Sequence, residues 1–228
     1  MGQGNFVEKE MDPLNNNFPQ NRNHAGRQLG AKLSAFKNSG AVVVGVPRGG
    51  ALVAAALSEE LQLPFDVMPC RRIKHPADGT QSIGSVSARE IVLTSVTHDL
   101  PQDYIGHQIV MIRSSVQADD RFYHAAMPSL SFAGKTVILA DESLRTVNSL
   151  LACVVSIKKQ KASKVIVAVS VATDEAVAAM SRVADEVVFL NLEHDPRQAW
   201  FPEFTAPRPS DVRELLAKRR RGEMVVME

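Results

Sequence analysis

Asp141 and Glu142 stand side by side at the end of an apolar run, VILA at 137–140, and are followed by a polar loop, SLRTVNS, and then an apolar segment with helical character. Two neighbouring carboxylates at the carboxyl end of a parallel strand can hold vicinal hydroxyls or a Mg²⁺-bound sugar phosphate. A helix start behind them offers unpaired backbone N–H groups to an anion. The pattern outlines a ribose-phosphate site, in which Thr146 and Ser149 supply hydroxyls to a phosphate, Arg145 is a further anion donor and Asn148 caps the following helix. The loop has no glycine. Successive side chains of a strand point to opposite faces, so a role shared by both acids requires the backbone to bend there.

A second set of residues suits the other end of such a ligand. Gly45, Val46, Pro47, Arg48, Gly49 and Gly50 join an apolar strand to an Ala-rich helix. The glycine pair lets the main chain turn tightly and approach a ligand, and Arg48 presents a guanidinium fork suited to phosphate. Arg71 and Arg72 follow the next strand at the same sheet edge, with Lys74 and His75 beyond them. Three guanidiniums converging there would repel one another without an anion, which makes a pyrophosphate the natural guest.

The elements that must position these residues alternate. A helix is expected from His24, with Ala25, Leu29, Leu33 and Phe36 at helical spacing, ending at Asn38, Ser39 and Gly40. Strands are expected at 42–46, 65–70, 137–140, 164–171 and 186–190, with helices after the first, third and fourth. Continuous apolar strands alternating with helices predict an α/β fold of three layers, a five-stranded parallel sheet with helices on both faces and right-handed crossovers. Between the second and third strands, residues 71–132 read as an insertion. They carry an antiparallel hairpin at SIGSVSAREIVLTS and then a helix through Ile105, Ile109, Ile112 and Val116, expected to form a lid above the carboxyl edge. The expected organisation is a loose arm over 1–22, a single domain over 23–216 whose last part, 191–216, forms a hood segment, and a basic tail over 217–228.

Bulk properties narrow the class. The chain has 228 residues, enough for one well-buried core. With 26 Lys and Arg against 25 Asp and Glu, the formal charge of +1 does not point to nucleic acid. The basic run Lys218 to Arg221 suits the negative end of a helix that Ser210 would cap, its charges solvated. Cys70 and Cys153 sit in apolar contexts and read as buried thiols of a reducing compartment. The amino-terminal stretch has no apolar run typical of a secretion signal, and no run approaches the ~18 apolar residues of a membrane span. A cytoplasmic location, no membrane partner and a homodimer are the expectations.

On these residues the chain resembles the type I phosphoribosyltransferase family, and more narrowly the bacterial stand-alone phosphoribosyltransferase domains that open with the helix AGRQL, here residues 25–29. The resemblance extends over residues 27–216. It implies the five-stranded parallel core, a flexible loop at 74–86 and a hood. GVPRGG matches the pyrophosphate loop, so Arg48, Gly49, Gly50 and Arg71 would bind the diphosphate of 5-phosphoribosyl 1-diphosphate (PRPP). VILADESLRTVNS matches the PRPP signature, with Arg145, Thr146, Asn148 and Ser149 at the 5-phosphate. Asp141, Glu142 and Arg72 would be catalytic, the two acids meeting Mg²⁺ indirectly through ribose hydroxyls or water, and Trp200 and Phe201 would stack on the acceptor. The signature is degenerate in places. Glu142 replaces the commoner aspartate, Ser143 and Val147 replace glycines, and Arg145 replaces a small residue. A left-handed backbone at Val147 would cost at least about 1–2 kcal/mol. The implied activity is transfer of ribose 5-phosphate from PRPP to a nucleobase-like acceptor with release of pyrophosphate. The alternative is a catalytically inactive relative that binds a nucleotide or sugar phosphate in a regulatory role.

Overall fold

The structure, a computed structural model, describes residues 19–79, 81–192 and 206–223. Five apolar runs form the core sheet: β1 (Val42–Gly45), β2 (Phe65–Val67), β6 (Thr136–Leu144), β7 (Lys164–Ala172) and β8 (Glu186–Leu192), in the order β2-β1-β6-β7-β8 with every pairing parallel. Alternate residues of the same strands feed opposite layers. Val43, Ile138, Ala140 and Ile166 pack with α1 (Arg22–Lys32), α2 (Gly49–Leu61) and α6 (Pro209–Arg220). Val42, Val44, Leu139 and Val167 pack with α4 (Leu151–Lys159) and α5 (Asp174–Met180). This is the predicted three-layer α/β architecture, and the double covering explains why the central strands carry continuous apolar runs rather than alternating ones.

Two strand boundaries differ from the sequence reading in ways that matter for the site. The second core strand stops at Val67. After Met68 and Pro69 the chain enters a separate antiparallel sheet of β3 (Cys70–Lys74), β4 (Ser82–Ser87) and β5 (Ile91–Leu93). The expected hairpin is present with a third strand, because Pro69 lacks the N–H a continuing ladder would need. The sheet packs on α3 (Gln102–Tyr123) through Ile73, Ile83, Val86 and Ile105. The third core strand runs beyond Ala140 to Leu144, so the acidic pair lies within it.

The loose arm was expected to reach residue 22, whereas Arg22 opens α1, with the Asn21 side chain capping it by accepting from the His24 amide at 2.8 Å. At the other end, Ser210 is not the cap of α6. Arg208 precedes the helix and Asp211 accepts from its backbone N–H. The basic run is also not simply solvated: Arg219 donates to Ser58 Oγ, and Arg220 donates to the carbonyls of Phe65 and Pro128.

Arg220 also belongs to a buried charge cluster that ties α6, α3 and β2 together. Asp66, fully buried, accepts from the amides of Val67 and Leu130 and lies 2.9 Å from Arg220 and 3.0 Å from His124 Nε2. His124 Nδ1 faces the Asp120 carbonyl at 3.0 Å, so both ring nitrogens meet acceptors and only the imidazolium satisfies them. Burial lowers the His124 pKa, but hydrogen bonds to Asp120 and Asp66 and the charges of both outweigh it and raise the value from 6.5 to about 9. A histidine held protonated in this way stabilises the fold fully below its unfolded value, and the contribution is lost as pH rises through the folded one. The thermal midpoint is therefore expected to fall between pH 6.5 and pH 9, and His124→Gln to flatten that limb. Asp66→Ala, which strands two buried cations, is expected to cost about 3–5 kcal/mol in urea denaturation.

Candidate functional site

Strict alternation along β6 gives way at the acidic pair, since Ala140 packs in the layer of α1 and α2, whereas Leu144, four residues on, packs with Leu139 in the opposite layer. Glu142 lies against Gly49 and meets Arg22 of α1, and Asp141 lies against Gly50. Both reach the start of α2, which lies over the carboxyl edge of the sheet. A Cβ at Gly49 would overlap the Glu142 carboxylate, and one at Gly50 would overlap Asp141 Oδ1 and come within 2.9 Å of Asp141 Cα. The glycine pair thus removes the two side chains that would separate the carboxylates from the amide end of a helix, where negative charge is favoured.

Each acid has its own partner. Glu142 Oε1 accepts from Arg22 Nε at 2.6 Å, and Asp141 Oδ1 accepts from the Glu142 amide at 2.8 Å. Burial pushes the Asp141 pKa up, the hydrogen bond from the Glu142 amide opposes the shift, and the charge of Glu142 adds to it, leaving a value of about 7.

On the other side of the 46–50 loop, Arg48 sits at the N-cap of α2 beyond a cis Pro47–Arg48 peptide. Its side chain lines a cavity of about 340 Å³ together with Cys70, Arg71, Asp119, Tyr123 and Pro209. Arg71 donates to Asp119 at 2.7 Å. The Tyr123 hydroxyl is pushed up by burial and by Asp119, while Arg48 and Arg71 pull it down, which places both guanidiniums in its field. Arg72 does not join them. As a neighbour of Arg71 on β3 it takes the opposite strand face, shared with Cys70, whose Sγ reaches the Ser149 carbonyl at 3.6 Å. Two guanidiniums, Arg48 and Arg71, therefore line the cavity instead of three, and Arg72 is exposed.

That turn is a 3-10 segment, Val147–Ser149, and among the described residues left-handed backbone occurs only outside it, so Val147 takes its place without that strain. Ser149 Oγ donates to the Thr146 carbonyl at 2.7 Å, and Thr173 Oγ1 donates to the carbonyl of Arg145. Thr146 Oγ1 and Asn148 Oδ1 are buried without a partner among the described residues. Asn148 does not cap the helix behind it: its amide donates to the Ser82 carbonyl at 2.9 Å, and the first turn of α4 is capped from the second sheet by Ser85 Oγ, which accepts from the Ala152 amide at 3.1 Å. The stretch expected as a flexible loop thus contributes most of β4, whose Ser82 carbonyl meets the 146–149 turn and whose Ser85 meets the first turn of α4. Ser85 and Arg22 were both missed. Only Ser85's place in an alternating strand and Arg22's four-residue spacing from Gly26 could have hinted at them. Cys153 is buried as expected, and Cys70 is half-buried. Trp200 and Phe201 lie outside the described residues.

No group of three His, Cys, Asp or Glu side chains that could hold a metal ion occurs among the described residues. Mg²⁺ commonly needs only one or two carboxylates when substrate phosphates complete its shell, and Asp141 and Glu142 fit that role.

The packing of the acidic pair has consequences for stability. A carboxyl whose folded pKa is raised from 3.8 to about 7 contributes stability that is fully present below 3.8 and lost as pH rises to 7. Asp141→Asn should therefore raise the thermal midpoint at pH 8 and leave it unchanged near pH 3, and a lower midpoint at pH 8 would refute the strained-carboxylate assignment. Gly50→Ala, which meets backbone at Asp141 Cα, should cost about 1–3 kcal/mol in urea denaturation, and Gly49→Ala less, because the Glu142 side chain can swing away.

Comparison with known proteins agrees with this geometry. The phosphoribosyl transferase domain family model matches residues 20–202. Two Mycobacterium tuberculosis proteins, from strains CDC 1551 and H37Rv, each bearing the name "Putative phosphoribosyl transferase", are 28% identical over 174 residues, covering 74% of this chain. The chain spans 39% of the length of those relatives. The crystal structure of TT1426 from Thermus thermophilus superposes with a TM-score of 0.72 at 29% identity, covering 87% of this chain and 97% of that one. No described helix is long and apolar enough to cross a membrane. With the parallel core, the glycine-backed acidic pair and the arginine-lined cavity in place, the chain belongs to the phosphoribosyl transferase domain family.

Proposed function

We propose that the protein transfers ribose 5-phosphate from PRPP to a nucleobase-like acceptor and releases pyrophosphate. The observation that carries this reading is the meeting of Asp141 and Glu142 with the start of α2, directly behind Arg48 and its cavity. One loop thereby joins a place for vicinal hydroxyls to a place for a diphosphate. Thr146 Oγ1 and Asn148 Oδ1, buried and without a partner among the described residues, lie in the turn that would receive the 5-phosphate, with Ser149 and Arg145 beside them.

In this reading an acceptor nitrogen attacks the anomeric carbon as its bond to the diphosphate oxygen breaks, and the electron pair leaves with pyrophosphate. Arg48 and Arg71 bind the leaving group and stabilise its growing charge, and the amides beginning at Gly49 add to this. Asp141 and Glu142 hold the ribose hydroxyls and favour the electron-poor sugar of the transition state. Mg²⁺, carried in with the diphosphate, would neutralise further negative charge. Arg72, next to Arg71 on β3, supplies a cation near the sugar. Trp200 and Phe201 are the proposed stacking surface for the base. Binding without turnover is the second reading, favoured by the engagement of Glu142 with Arg22.

Calorimetric titration with PRPP, with and without Mg²⁺, tests the site. Micromolar binding is expected, weakened by about tenfold or more in Arg48→Ala and in Asp141→Asn. Pyrophosphate release with a purine or pyrimidine base would establish transfer. Binding without release from any base would establish the second reading, and no binding at millimolar PRPP would overturn both.

A further inference from the structure

Arg22 is the first residue of α1, yet its side chain is only 10% exposed, and it commits its charge to Glu142. A buried guanidinium is costly unless paired, and a buried ion pair is a weak source of net stability, so the contact calls for an explanation beyond anchoring the helix. Anchoring is already supplied. Ala25, Leu29 and Leu33 are buried, and a Cβ at Gly26 would come within 2.6 Å of Ala56 Cβ while one at Gly30 would come within 2.6 Å of Glu60 Cγ. Residues 22, 26 and 30 fall on one face of α1 at intervals of four, and the two glycines let that face settle directly on α2. The close helix contact therefore aims Arg22 at the start of α2, where Glu142 lies against Gly49.

We infer that Arg22 is a positioning residue of this site, fixing the Glu142 carboxylate between its guanidinium and the Gly49 backbone so that Glu142 is set to recognise the vicinal hydroxyls of a ribose phosphate. The inference rests on the ribose-phosphate reading above. A planar guanidinium fixes the direction of a carboxylate as well as its charge, which a lysine ammonium does not. The chemistry recognised is a cis-diol beside a phosphate, so the signature of the Arg22 contact is discrimination between ribose and 2-deoxyribose.

The test measures binding of ribose 5-phosphate, 2-deoxyribose 5-phosphate and inorganic pyrophosphate to the full chain and to the Arg22→Lys, Arg22→Ala, Glu142→Gln and double Arg22→Ala/Glu142→Gln proteins. The wild type should prefer ribose 5-phosphate. Arg22→Ala should reduce that preference about tenfold or more while changing pyrophosphate affinity less than about twofold. Arg22→Lys, which keeps a buried cation and so protects folding, should also lose preference. In the Glu142→Gln background, Arg22→Ala should have little further effect, because Arg22 acts through Glu142. Full preference in folded Arg22→Ala and Arg22→Lys proteins would overturn the inference and leave the ribose-phosphate reading intact. Equal loss of all three ligands with a lowered thermal midpoint would overturn it in favour of a purely structural ion pair. Failure of the wild type to bind either sugar phosphate would overturn both the reading and the inference.

Discussion

The site depends on how two neighbouring carboxylates are kept together at the end of a buried strand. Asp141 and Glu142 repel each other where water screens little, and each would lose solvation on leaving bulk solvent. The structure answers with three kinds of compensation: the amide end of α2, brought close by Gly49 and Gly50; the backbone N–H of Glu142, donated to Asp141; and the guanidinium of Arg22, given to Glu142. The compensation is unequal. Glu142 meets a full positive charge, whereas Asp141 has one amide and a raised pKa of about 7. Two acids that look interchangeable in sequence are therefore distinct groups in the fold.

The same requirement reaches into the packing of the first layer. Gly45 makes the same kind of allowance as Gly49 and Gly50, since a Cβ there would come within 2.8 Å of both Ala51 Cα and Ala54 Cβ. Strand and helix thereby approach closely enough for the sheet edge to sit beneath the first turn of α2. Gly26 and Gly30 repeat the allowance between α1 and α2. Small residues at these contacts set the height and tilt of two helices, and through them the positions of Arg48 and Arg22.

The core was legible because its signal is redundant: continuous apolar runs such as VVV, VILA and VIVAV recur in the strands, and a doubly covered parallel sheet has few polar positions to confuse the period. Gly49 and Gly50 were legible because a glycine pair between a strand and a helix has few uses other than close approach. Contacts between elements distant in sequence were not. Arg22 and Glu142 are 120 residues apart, and Ser85 caps a helix 67 residues later. Local patterns assigned the cap to Asn148, a good capping type at the right place, but the second sheet offers the Ser82 carbonyl to Asn148 and the Ser85 hydroxyl to Ala152. Arg72 was misplaced for a related reason. The expected strand ran to Cys70, which made Arg71 and Arg72 loop residues free to converge, whereas the break after Val67 puts them on a new strand whose pleat separates them.

The second sheet is thus more than an insertion covering an edge. On β3, Arg71 reaches Asp119 and the Arg48 cavity, while Cys70 both lines that cavity and reaches the Ser149 carbonyl. Next to β3, β4 contributes Ser82 and Ser85 to the same turn and to the start of α4. The Arg48 cavity and the 146–149 turn are therefore both in contact with the same three-stranded sheet. A strand's side-chain alternation is a rigid geometric relation, so a shift of β3 that opens the cavity also shifts the groups at the turn. In this arrangement the glycine-free loop does not have to build a phosphate cradle from its own backbone alone. The Asn148 side chain and the Arg145 carbonyl are held by Ser82 and Thr173 from neighbouring elements, and Val147 sits in a 3-10 turn without left-handed backbone.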